Sequence, residues 1–173
     1  MADTWVVDYT LVKMAPGKSL MSLWNGASSS KVIRIYRVFA SNSNFIGNMS
    51  VSSNLEMQRI SAHSGGITYT PVTRDTANAA LDANVVCSTG ATVTINGRLR
   101  TWQWCTQLPT SSGSQYYTYA MVYPMTCLWD VGYGSSKLQP LTIRAGEGIS
   151  ILNKGMSAVG LIDFWVEFTQ AAS

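Results

Sequence analysis

The sequence predicts an all-β fold, a jelly-roll-like β-sandwich, and three observations carry that expectation. Apolar residues alternate with polar ones at a period of two in many short runs. Turn-forming residues separate those runs at regular intervals. Charged residues make up only 12% of the 173-residue chain, while apolar residues hold 46%. A period of two marks a half-buried strand, and many such strands between turn signals suit a sandwich or barrel. A charge fraction well below the usual quarter leaves a surface of Ser, Thr, Asn, Gln and Gly. Charge depletion also suits a surface partly covered by neighbouring subunits.

The first element, Thr4 to Lys13, alternates, with Trp5, Val7, Tyr9 and Leu11 on one face and Asp8 and Thr10 on the other. Pro16-Gly17 ends it, and a run from Leu20 to Trp24 closes at the turn dipeptide Asn25-Gly26. Lys31 to Ala40 is crowded with Val, Ile, Tyr and Phe, which predicts a central strand. A loop through Asn42, Asn44 and Gly47 leads to a strand over Met49 to Ala62. Ser64 to Ala91 is a long connection with Gly65-Gly66, Pro71 and one helical patch, Thr76 to Ala83, capped by Asp75 or Thr76.

Thr92 to Ile95 and Arg98 to Gln107 flank Asn96-Gly97, which predicts a tight hairpin. A polar loop, Thr110 to Gln115, precedes strands over Tyr116 to Tyr123 and Met125 to Val131, and a glycine-rich stretch runs from Gly132 to Ser136. Leu141 to Arg144 and Ile149 to Leu152 flank Ala145-Gly146-Glu147-Gly148 as a second hairpin-like pair. The last strand is the clearest: Ile162, Phe164, Val166 and Phe168 line one face, and Asp163 and Glu167 lie on the other. The expectation is a single domain over residues 1–173, with about eight to ten strands and one short helix. A chain of this length buries roughly 70% of its unfolded surface and needs no staple.

Net charge is +3, from 12 basic and 9 acidic residues, and the basic residues are scattered. A nucleic-acid binder concentrates positive charge on a face or tail, so no direct nucleic-acid contact is expected. No run approaches the 18 or so apolar residues of a membrane span. The first residues carry no positive region followed by an apolar run, which points to folding in a reducing cytoplasm. Cys87, Cys105 and Cys127 are odd in number and widely spaced, and so read as free thiols, one of which could form an intersubunit disulfide on release.

The one histidine, His63, has serines beside it but no nucleophile elbow, so it reads as a loop residue bonded to backbone. The nine acids form no local pair, and Asp75 and Asp82 lack the spacing of a calcium loop. Gly146 and Gly148 precede a strand, not the helix a phosphate cradle requires. The sequence therefore nominates no catalytic, metal-ligating or cofactor-binding residue. The chain is read as a non-enzyme that needs no cofactor.

Aromatic residues are the candidate binding groups. Six Trp and eight Tyr are present, and Trp102 and Trp104 stand two apart on one strand face, with Trp129 nearby in sequence. Facing outward they would form a platform for an interface or a sugar. Facing inward they are core, and the less apolar opposite face of Leu99, Thr101, Gln103 and Cys105 favours core.

Three blocks stand in a suggestive order. They are Ser22-Leu23-Trp24-Asn25-Gly26-Ala27-Ser28-Ser29-Ser30-Lys31-Val32, then Arg59-Ile60-Ser61-Ala62-His63-Ser64-Gly65-Gly66 running on to Asp75-Thr76-Ala77-Asn78, then Gln139-Pro140-Leu141-Thr142-Ile143-Arg144-Ala145-Gly146-Glu147-Gly148 before Asp163-Phe164-Trp165-Val166-Glu167-Phe168-Thr169. From Leu20 to Thr169 the chain resembles virion structural proteins encoded in tailed-phage and prophage regions. The resemblance implies a head decoration, or cement, protein of jelly-roll fold. It would bind the major capsid protein lattice on the virion surface as a homo-oligomer, expected to be a trimer, after assembly in the host cytoplasm. A carbohydrate-binding β-sandwich is the alternative the aromatic residues raise.

Overall fold

In a computed structural model, residues 3–43, 52–105, 125–132, 139–156 and 160–172 are described. They form twelve strands: β1 (Asp3–Lys13), β2 (Ser19–Asn25), β3 (Lys31–Asn42), β4 (Ser52–Ser64), β5 (Ile67–Tyr69), β6 (Val72–Thr73), β7 (Val85–Thr89), β8 (Thr92–Cys105), β9 (Thr126–Asp130), β10 (Leu141–Ile143), β11 (Glu147–Asn153) and β12 (Leu161–Ala172). One antiparallel sheet runs β10-β3-β12-β1-β6, with β9 also on β3, and the other runs β5-β7-β2-β11-β4-β8. Eight of these strands give the orders β1-β12-β3-β9 and β2-β11-β4-β8. That interleaving, first with last and second with next-to-last, is the double Greek key of a jelly roll. The predicted strand from Tyr116 to Tyr123 and the loops at Asn44, Gly47, Thr110 to Gln115 and residues 133–136 lie outside the described residues.

The facing sides of the two sheets make one apolar core. Ile162, Phe164, Val166 and Phe168 are fully buried, as the alternation of the last strand predicts. Opposite them lie Met21, Leu23, Leu55, Met57, Ile149 and Ile151 of the second sheet. Tyr9 ties the layers together: its hydroxyl donates to the Ser22 carbonyl at 2.8 Å, and its ring lies 5.1 Å from that of Tyr69.

The strand β1 departs from simple alternation. The register against β12 shifts between Tyr9 and Val12, so Val12 turns into the core and Leu11 is 63% exposed. Leu11 adopts φ +55, and its amide donates to Asp163 Oδ1 at 2.6 Å. Asp163 also accepts from the Ser43 hydroxyl, so this carboxylate holds the bulge in place.

Three local expectations are corrected. Thr76 to Ala83 is irregular chain between two short turns, and no helix occurs among the described residues. Gln170 of β12 donates from Nε2 to the Ala80 carbonyl and accepts at Oε1 from the Asp82 amide, so a side chain of a distant strand takes two backbone groups of the segment. Asn96-Gly97 is not a hairpin, because β8 runs straight through it. The partners shift there, with Arg59 opposite Gly97 and Ile60 opposite Ile95, so Asn96 is the extra residue of a bulge. Finally, Ala145 to Gly148 joins strands of different sheets. β10 pairs with β3 while β11 pairs with β2 and β4, and Gly146 at φ +77 supplies the crossing turn.

Candidate functional site

The candidate aromatics lie on β8, an edge strand of the second sheet, and on β9 of the first, and all three, Trp102, Trp104 and Trp129, pack on the core. Trp104 is 7% exposed, and its indole N–H donates to Asn42 Oδ1 at 2.8 Å, which links β8 to the end of β3. Trp102 and Trp129 are half-buried, and their indole nitrogens find no partner among the described residues. The Arg100 guanidinium covers the Trp102 ring at 5.5 Å, and its Nη1 donates to the Leu128 carbonyl at 3.3 Å. This edge joins the layers; it is not an open aromatic platform. Tyr116, Tyr117, Tyr119 and Tyr123 lie outside the described residues.

His63 sits on strand β4, not in a loop, and its partners are side chains. Its Nε2 is 2.8 Å from Ser88 Oγ and 3.2 Å from Ser22 Oγ, and the two hydroxyls are 2.8 Å apart. The ring stacks on Trp24 at 6.1 Å and 14°. A serine beside a histidine invites a hydrolytic reading, but Ser22 and Ser88 are fully buried, out of a substrate's reach. The group instead connects β4 to β2 and β7, which the sheet order separates from it.

Desolvation lowers the His63 pKa from its ordinary 6.5. A base depressed in the fold takes up its proton more readily when unfolded, so its contribution is present above that value and lost as pH falls towards the folded pKa. Urea midpoints are therefore expected to fall between about pH 7.5 and about pH 5.5, and to fall less in His63→Gln. Equal pH dependence of the two proteins would refute this role.

The outer face of the first sheet carries an open cleft of about 500 Å³, lined by Thr4, Tyr36, Arg37, Asp130, Val131, Gly132, Glu167 and Thr169. The register explains it: Arg37 of β3 lies opposite Glu167 of β12 and Asp130 of β9. Arg37 Nη1 is 3.3 Å from Glu167 Oε2, and its Nε is 3.5 Å from Asp130 Oδ2. Asp130 Oδ1 also accepts from the Gly132 amide at 2.7 Å. Arg74 reaches Glu167 Oε1 at 3.0 Å and covers the Trp165 ring at 5.6 Å, and Trp165 lies against Phe39 at 5.6 Å.

The sequence reading missed this cleft. Its signal was the outer face of the last strand, where Trp165, Glu167 and Thr169 alternate with the core residues. Their partners are about 130 positions away, beyond any local pattern.

Cys87 is buried, and burial pushes its thiol up to about 12, while Cys127 is half-buried and also raised, chiefly by burial. Both are free, and the Cys105 side chain lies outside the described residues. Asp82 is lowered, first by the Asn84 amide, and accepts from Ser29 Oγ at 2.8 Å, so it serves as a loop anchor. Among the described residues no group of three or more His, Cys, Asp or Glu could hold a metal ion, and no helix is long and apolar enough to cross a membrane. No protein-family model, curated protein or solved structure matches the chain.

Proposed function

We propose that the chain is a virion structural protein of the tailed-phage type, which attaches to the assembled capsid surface and stabilises the shell as a homo-oligomer. The observation that carries this reading is the jelly-roll order of the two sheets, combined with the long outer strand β8. Twelve of the fourteen residues of β8 pair on one side with β4, and on the other side no strand pairs with it among the described residues. An edge of that length is a surface for contact with another chain. Exposed Leu11, Ile67, Val72 and Ile95 add apolar area outside the core. The likeness of the three sequence blocks to phage and prophage virion proteins supplies the partner.

The free energy of such a protein comes from area buried on the lattice. A site of about 1,200–2,000 Å² in total is enough for stable attachment. Added to undecorated phage shells, the purified protein is expected to bind saturably. It should also raise the melting temperature of the particles, since a ligand of the intact state stabilises that state by mass action. Unassembled capsid protein, which does not hold neighbouring subunits in place, should bind little. Absence of saturable binding to shells would overturn the proposal.

A further inference from the structure

We infer that the cleft between Arg37, Asp130 and Glu167 on the outer face of the first sheet binds a neutral saccharide. Its volume of about 500 Å³ lies within the roughly 300–1,000 Å³ of small-molecule sites. Its charged groups are already paired, Arg37 with Asp130 and Glu167, and Glu167 also with Arg74 beside the cleft. A polyanion would meet the two carboxylates, and a divalent cation would meet the guanidinium that stands between them. A neutral ligand rich in hydroxyls suits both, because guanidinium groups only donate and carboxylates only accept.

These groups are already oriented. Asp130 is fixed by the Gly132 amide, and Arg37 by both acids. Binding therefore orders few side chains.

A second, independent observation comes from Thr169. It lines the cleft at 6% exposure, and its hydroxyl finds no partner among the described residues. A buried polar group left unpaired costs stability, about 1–3 kcal/mol in general, and a ligand hydroxyl would supply the missing bond. Tyr36, half-buried in the lining of the cleft, provides the ring on which a sugar stacks. Saccharide binding does not rest on the assembly reading, since a protein that ignores phage shells can still bind sugar, and the converse holds.

The free protein is to be applied to a printed array of neutral and sulfated glycans, and any bound neutral glycan titrated by calorimetry. Saturable binding to at least one neutral glycan is expected. Thr169→Val should weaken it tenfold or more without lowering the melting temperature, because the change removes an unsatisfied hydroxyl and keeps the shape. Tyr36→Leu should weaken it similarly. The inference is overturned if no neutral glycan binds, if sulfated glycans bind in preference, or if Thr169→Val and Tyr36→Leu both bind as the parent does.

Discussion

Phe164→Ala is expected to destabilise the protein by about 3–5 kcal/mol, the range for removing a buried aromatic ring. Phe164 is fully buried on β12, with Tyr9 of β1 and Ala40 of β3 beside it in register. Because β12 lies between β1 and β3, neither neighbour can move in to fill the space without disturbing a hydrogen-bonded ladder. At roughly 2–4 °C per kcal/mol for a chain of this size, the melting temperature should drop by roughly 6–20 °C. Asp163→Ala, one residue away on the other face, should cost less. It removes an acceptor for the Leu11 amide and the Ser43 hydroxyl but opens no cavity. Thermal melts of both variants decide the matter, and Asp163→Ala proving the more damaging would place the wrong face of β12 in the core.

The last strand was legible because its four core residues keep strict alternation over seven positions, and nothing local competes with that pattern. The first strand shows where such reading stops. Leu11 follows Trp5, Val7 and Tyr9 at the same spacing, but a bulge pinned by Asp163, 152 residues away, turns it to solvent. The all-β sandwich class could be read from the number and spacing of strands. Assignment of β10 and β11 to different sheets could not, since a glycine turn reads alike whether it closes a hairpin or crosses between layers.

Propensity failed at Thr76 to Ala83 for a related reason. Its alanines favour helix, but Gln170 of β12 takes the Ala80 carbonyl and the Asp82 amide, and Asn78 Nδ2 reaches the Thr4 carbonyl of β1. The candidate sites divide in the same way. Trp102 and Trp104 sharing a face follows from strand geometry, and the weakly apolar opposite face pointed inward, where they lie. His63 gave no local sign of Ser22 and Ser88, which are 41 and 25 residues away. The cleft at Arg37 required the register of β3 against both β12 and β9, so a one-residue slip on either side would have dissolved it.

Gly148→Ala is expected to destabilise the fold by about 3 kcal/mol, the upper end for overpacking a core. Gly148 lies within β11, between Trp24 of β2 and Ile60 of β4. A Cβ there would stand 2.6 Å from the Leu23 carbonyl oxygen, 2.9 Å from Trp24 Cε3 and 3.0 Å from Ile60 Cγ1. A side chain can turn away, but the Leu23 oxygen belongs to the β2 backbone, so relief requires β2 and β11 to separate. The glycine is needed for room. The Trp24 ring passes close over it and carries the stacked His63, which holds the end of β4 against Ser22 and Ser88. Two readouts follow: a lowered urea midpoint, and altered tryptophan fluorescence as Trp24 is displaced. Adding Trp24→Leu to Gly148→Ala relieves the ring contact but leaves the carbonyl contact, so it should restore only part of the loss. Gly146→Ala gives a contrast, since its nearest neighbour would be 3.9 Å away and its cost comes from φ +77 alone, about 1–2 kcal/mol. If Gly148→Ala proved no more costly than Gly146→Ala, the close passage of β2, β4 and β11 around this residue would be wrong.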